Sequence, residues 1–305
     1  MIASNIALRI IFISQIGVGA LGNSFLLGLY TITLCIGPRM RPIDFLLIQL
    51  AFVNDLVLLS KGIPQTMAAF GLNNFLDDVG CKLVFYLHRV AQGLSLSTTC
   101  LLSGFQAIIL SPRSSRWAEL KVKIPKCIVP FCLLCWALDL LKNCVILIYI
   151  KGLQDNENIT STQDFGFCSA SFNPSFISSL YLSMISLPDV VCLGIMVLTS
   201  GSMVITLYRH HQRIQNIHST SFSSRTSPET RATQTIVVLV SMFISFYSLN
   251  CILVCCVHSG KAPLWLVHTS AFLAACFPAC SPFVLITSDS QITKYSLAIW
   301  GKIKS

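Results

Sequence analysis

The chain has 305 residues, of which 54% are hydrophobic and 11% charged, with a mean hydropathy of +0.72. That balance excludes a soluble domain of this length and makes membrane lipid the main solvent. The net charge of +9 would suit a nucleic-acid binder, but the basic residues lie in short connectors rather than in one stripe, so no nucleic acid is expected as partner.

A hydrocarbon core about 30 Å thick takes about 20 apolar residues per helix. Long apolar runs predict seven helices, over residues 6–34, 43–70, 81–110, 125–149, 175–207, 231–258 and 263–287. The fold class is therefore an all-α membrane protein, a seven-transmembrane bundle occupying residues 1–305 as one domain. The first run follows Met1-Ile2-Ala3-Ser4-Asn5 without a basic leader or a small-residue cleavage site, so it is expected to act as its own insertion signal. Serines dilute the fifth run, and Pro278 and Pro282 interrupt the seventh; neighbouring helices can satisfy the backbone that a proline frees. Kinks are expected at Pro64, Pro188 and Pro282.

The connectors orient the bundle. Arg39 and Arg41, then Arg113, Arg116, Lys121, Lys123 and Lys126, then Arg209, Arg213, Arg225 and Arg231, then Lys294, Lys302 and Lys304 fall on one side, fourteen in all. Only Lys82, Lys151 and Lys261 fall on the other. The positive-inside rule puts the first set in the cytoplasm, giving an extracellular N-terminus and a cytoplasmic C-terminus. The sequon Asn158-Ile159-Thr160 then lies outside, which makes Asn158 a candidate glycosylation site. Twelve of the fourteen cysteines fall in or beside apolar runs, where a thiol packs as a small hydrophobe. The other two, Cys81 and Cys168, share the oxidising side; a disulfide tying the outer loop to helix three is expected, with two free thiols as the alternative.

Seven helices, an outer N-terminus and that disulfide describe G-protein-coupled receptors. Longer strings are more specific. Leu46-Leu47-Ile48-Gln49-Leu50-Ala51-Phe52-Val53-Asn54, then Leu59 to Met67, resemble helix two of the vomeronasal type-1 receptors. Ser97-Thr98-Thr99-Cys100-Leu101-Leu102-Ser103-Gly104-Phe105-Gln106-Ala107-Ile108, ending in Ser111-Pro112, resembles the inner end of their helix three, and Ser281-Pro282-Phe283-Val284-Leu285-Ile286 their helix seven. The resemblance runs from about Leu21 to Lys294. It implies a multi-pass plasma-membrane receptor, found in the vomeronasal organ, for a small-molecule pheromone or odorant, coupled to a heterotrimeric G protein of the inhibitory type. Bitter taste receptors are the nearest rival. A transporter is the rival from another class, but no repeat relates the first three helices to the last three.

Some rhodopsin-like switch residues are missing. Phe105-Gln106-Ala107 stands where an acidic-Arg-aromatic triplet would, Asn54 takes the place of the helix-two aspartate, helix six has no Cys-Trp-x-Pro and helix seven no Asn-Pro-x-x-Tyr. Gly22-Asn23 in helix one does match the broader pattern.

A receptor of this kind should hold its ligand between facing helices in the outer half. His88, Arg89 and Gln92, within about three turns of Cys81, are the first candidates, because polar groups at that depth face a cavity or each other. His88 and Arg89 could equally reach the headgroups or pair with Asp189. Tyr181, Asp189, Tyr247, Asn250, His268 and Thr269 complete the candidate ligand set, each with interhelical bonding as the alternative role. Asp139 and Lys142, three apart on one face, are expected to form an internal salt bridge. Arg113, Arg116, Arg209 and Arg213 are candidates for G-protein contact, alongside their role beside anionic lipid. Ser219 to Ser227 reads as a flexible stretch open to phosphorylation. No metalloprotease, serine-hydrolase or phosphate-loop motif occurs, and Cys132-x-x-Cys135 lacks a matching second pair, so no enzyme, metal or cofactor is expected.

Overall fold

The structure is a computed structural model that describes residues 2–36, 41–72, 75–111, 115–152, 162–164, 168–171, 176–217, 228–258 and 264–288. Seven long helices are α1 (Ile2–Ile36), α2 (Pro42–Ala69), α3 (Asp78–Leu110), α4 (Ser115–Asn143), α6 (Phe176–Ile217), α7 (Pro228–His258) and α8 (Leu264–Ser288). Each holds a segment long and apolar enough to cross a membrane. A one-turn helix, α5 (Ile146–Tyr149), and three short strands, β1 (Ile150–Gly152), β2 (Thr162–Asp164) and β3 (Cys168–Ser171), lie between α4 and α6.

Local chemistry sets several helix starts. Pro42 fits the first turn of α2, where its missing N–H has no partner to lose, and Asp44 accepts from the Arg41 backbone at 3.2 Å while pairing with its guanidinium at 2.7 Å. Asp77 caps α3 by accepting from the Gly80 N–H at 2.8 Å. Helices α2, α4, α6 and α8 run on through Pro64, Pro125 and Pro130, Pro188, and Pro278 and Pro282 respectively.

Helix α3 is the axis of the bundle, packing against α2, α4, α6 and α7, while α1 packs on α2 and α8. Its buried side chains Leu94, Leu96, Cys100 and Leu102 meet Leu46, Leu50 and Val53 of α2, Met196 and Met203 of α6, and Leu239 and Phe243 of α7 in one core. Outward-facing leucines are bare: Leu21, Leu141 and Leu198 are 73%, 71% and 75% exposed, and only lipid would cover such surface favourably. Small residues bring helices close. A Cβ on Gly19 would lie 2.8 Å from the Ala279 backbone of α8, and one on Gly22 would lie 2.9 Å from the Pro282 ring.

Strand β3 lies between β1 and β2 and is antiparallel to both, with Gly152 opposite Cys168, Ile150 opposite Ala170 and Gln163 also opposite Ala170. The expected disulfide is present: Cys81 and Cys168 are bonded with Cα atoms 5.8 Å apart, and with Phe85 and Ile150 they form a small second core. This fastens the sheet to the first turn of α3.

Two helices differ most from the apolar runs. Helix four begins at Ser115 rather than near 125 and ends at Asn143, and α6 continues to Ile217 rather than 207. The start of α4 and the end of α6 extend past the lipid-like stretch into charged sequence; at the start of α4 a Lys123–Glu119 pair at 2.6 Å, one turn apart, supports it.

Candidate functional site

Three polar systems cross the bundle, and one cleft opens beside them. The cleft, about 370 Å³ including its opening to solvent, lies between α2, α3, α7 and α8. Helix α3 contributes Gln92 and Ser95, about three to four turns below Cys81. Helix α7 contributes Phe243, Phe246, Tyr247 and Asn250, spaced to share one helical face, and α8 contributes Leu273, Ala274, Phe277 and Pro278, also from one face; Val57 of α2 closes the side. Phe243 stacks on Tyr247 with ring centres 5.5 Å apart and meets Phe277 edge-on at 4.6 Å, so the aromatic wall is preset. Asn250 accepts from the Ser270 hydroxyl at 2.9 Å.

Alongside the cleft runs a charged strap. Lys142 of α4 pairs with Asp139 at 2.7 Å and with Asp189 of α6 at 3.3 Å; Tyr247 of α7 donates to the other Asp189 oxygen at 2.6 Å. Asp139 sits directly against Gly93 of α3, leaving no room for a methyl group there. The strap thus joins α4, α6 and α7 and leans on α3. The Asp139–Lys142 salt bridge is as expected from their spacing, but Asp189 takes Lys142 and Tyr247 rather than His88 or Arg89.

A second system sits nearer the disulfide. His88 is buried with Nδ1 3.4 Å from the Ser60 hydroxyl, Lys61 lies 5.8 Å over the Phe85 ring, and Arg89 is exposed. His268 Nδ1 lies 3.3 Å from the Gln65 amide, with its ring 6.1 Å from that of Phe12. Thr269 faces outward and donates back to the Trp265 carbonyl at 2.9 Å. The third system lies along the axis. Ser95 donates to Asn54 at 2.9 Å, Asn54 donates to Ser281 at 3.0 Å, and Gln49 donates to Thr98 at 2.9 Å, joining α2, α3 and α8. Ser103 and Thr199 join α3 to α6. Towards the end away from the disulfide, Gln106 donates to Thr233 of α7 at 2.9 Å, and Arg231 donates to the Thr287 carbonyl at 3.2 Å.

Of the nine ligand candidates, the structure brings Gln92, Tyr247 and Asn250 to one cleft and sets Asp189 behind Tyr247. His88, Arg89, His268 and Thr269 do not line it, and the Tyr181 side chain lies outside the described residues. Arg209 is exposed on the last turns of α6; Arg113 and Asn158, and the side chains of Arg116 and Arg213, lie outside the described residues, as does 219–227. Ser95 and the aromatic wall escaped sequence reading. The wall's signal was the Phe243, Phe246, Tyr247, Asn250 spacing, hidden because the rest of α7 is apolar too.

Seven helices around a central third one, with a disulfide from its head to the strands before α6, define the G-protein-coupled-receptor fold. The solved structure of squid rhodopsin superposes with a TM-score of 0.74, covering 96% of this chain and 79% of that one; at 16% identity the likeness is one of fold. The model of the vomeronasal organ pheromone receptor family matches residues 6–298, and the chain belongs to that family. Vomeronasal type-1 receptor 1 of Homo sapiens is 49% identical over 94% of this chain and 81% of its own length, and vomeronasal type-1 receptor 3 of the same species is 45% identical over 99% and 97%. Olfactory receptor class A-like protein 1 of Danio rerio is 30% identical over 92% and 89%. The chain is accordingly a multi-pass plasma-membrane protein of a chemosensory receptor family.

Proposed function

We propose that the chain is a chemosensory receptor that binds a pheromone or related small molecule in the α2–α3–α7–α8 cleft and signals through a heterotrimeric G protein, of the inhibitory type by family resemblance. The observation that carries the site is the convergence of Gln92, Tyr247 and Asn250 on one mostly apolar cleft, the composition expected of a small-molecule pocket. The fourteen-to-three basic bias supports an extracellular N-terminus, which puts the disulfide and the cleft's nearer end outside and Arg209, with Arg113, Arg116 and Arg213, at the G-protein face. Asn158 then lies where glycosylation occurs. Ligand binding favours one of two helix arrangements, and the G protein reads the difference; no bond is made or broken.

The test is expression with an N-terminal tag in cells carrying a promiscuous G protein. Staining of unpermeabilised cells is expected, as are calcium responses to some members of a panel of urinary steroids and volatiles. Surface-delivered receptor that stays silent to the whole panel, or that takes up a compound without signalling, contradicts the reading.

A further inference from the structure

The hydrogen-bond state of the cleft restricts what it can hold. Among the residues that line it, none carries a formal charge. Four are polar: Gln92, Ser95, Tyr247 and Asn250. Two of these already direct their single hydrogen elsewhere. Tyr247 donates to Asp189 at 2.6 Å, and Asp189, paired with Lys142 at 3.3 Å, is an acceptor at both oxygens. Ser95 donates to Asn54 at 2.9 Å, and Asn54 donates onward to Ser281, which fixes the direction of that chain. Both hydroxyls therefore have only lone pairs to offer a ligand. Asn250 differs: its carbonyl accepts from Ser270 with one of two lone pairs, and its amide adds N–H donors that neither hydroxyl can offer. Gln92 carries both an N–H and a carbonyl.

Acceptors on Tyr247 and Ser95 facing a donor on Asn250 call for a group that donates and accepts at once while remaining neutral. A hydroxyl does this. A ketone or an ether only accepts and gives neither the Tyr247 nor the Ser95 oxygen a hydrogen, whereas an alcohol gives its single O–H to one of them; an ammonium finds no carboxylate that is not already held, and an anion meets two oxygen lone pairs.

Resting on the receptor reading above, we propose that the cleft selects neutral, largely apolar alcohols over the matching ketones, ethers, amines and sulfate esters. The strap has a second role here: by holding the Tyr247 hydrogen on Asp189, it fixes the residue as an acceptor towards the ligand.

The experiment is a dose-response series in cells expressing the full chain and a promiscuous G protein. The probes are decane, bornane and androstane skeletons, each as alcohol, ketone, methyl ether, protonated amine and sulfate ester. On the skeletons that activate, the alcohol is expected to act at about tenfold lower concentration than its ketone, the ratio that one unmatched buried polar group produces. Tyr247→Phe is expected to weaken the alcohol about tenfold and to leave the ketone no weaker, because the oxygen that the ketone left unmatched is gone. If that variant fails to reach the surface, Ser95→Ala decides by the same alcohol-specific loss, which a merely structural role does not produce. A ketone, amine or sulfate ester that equals or beats its alcohol, or an alcohol advantage untouched in the surface-delivered variant, overturns the proposal while leaving the receptor reading standing. Silence to every probe from surface-delivered receptor that answers other compounds also overturns it; silence to all compounds overturns the receptor reading with it.

Discussion

Gln106 of α3 donates to the hydroxyl of Thr233 on α7 at 2.9 Å, with both side chains buried, towards the end of the bundle away from the disulfide. Neither side chain carries a charge, so a neutral bond joins α3 to α7 here. Interhelical bonds of this kind are worth about 0.6 kcal/mol and at most about 1.7 in membranes, which makes the tie readily opened. Gln106→Leu is expected to raise agonist-independent signalling several-fold at equal surface density, and Thr233→Val to do the same. Basal signal equal to wild type in both variants contradicts this.

Lys142 stands between Asp139 and Asp189, so its removal leaves two carboxylates in the bundle with no cation between them. Breaking a buried pair in this way costs about 3–5 kcal/mol. Lys142→Met should therefore fall well below wild type in thermal stability in detergent. Adding Asp139→Leu and Asp189→Asn to the same chain should recover most of the loss. A triple variant no more stable than Lys142→Met would show that the charges are not the cause.

The Cys81–Cys168 bond spans a sequence separation of 87 and holds the strands against α3. Replacing either cysteine by alanine is expected to lower stability by about 2–5 kcal/mol and to reduce surface delivery. Surface delivery and melting temperature both equal to wild type would contradict a structural role for the bond.

Gly19 admits α8 so closely that a side chain there meets the Ala279 backbone as well as the Leu58 side chain, and the backbone cannot swing aside. Gly19→Val should cut folded yield sharply, whereas Gly28→Ala, at a position with open space around it, should be neutral or slightly stabilising through helix propensity. Equal yields from the two would argue against close α1–α8 packing.

Much of the fold was legible because lipid imposes simple rules. Apolar length set the seven helices, and oxidising-side placement singled out Cys81 and Cys168. The Asp139–Lys142 pair followed from helical spacing alone. Asp189 was legible as a costly polar group in an apolar run, but its partners were not, because the rotation of α6 against α4 and α7 is a packing outcome. The same holds for His268, which meets Gln65 across the bundle, and for Thr269, which turns away. Leu273 and Phe277 carried no sequence signal, and the spacing of Phe243 and Phe246 with Tyr247 was masked, since in a helix that is apolar on every face the lining of a cleft looks like the side that meets lipid.

An agonist that occupies the cleft beside Gln92, Tyr247 and Asn250 must lose affinity when that space is filled. Ala274 lines the cleft and bears only a methyl group, so Ala274→Phe places a ring where the ligand would sit. With surface density matched by tag staining, the agonist concentration for half-maximal calcium response should rise at least about tenfold, the ratio that corresponds to about 1.4 kcal/mol. A dose-response curve that overlays wild type would show that agonist binds elsewhere.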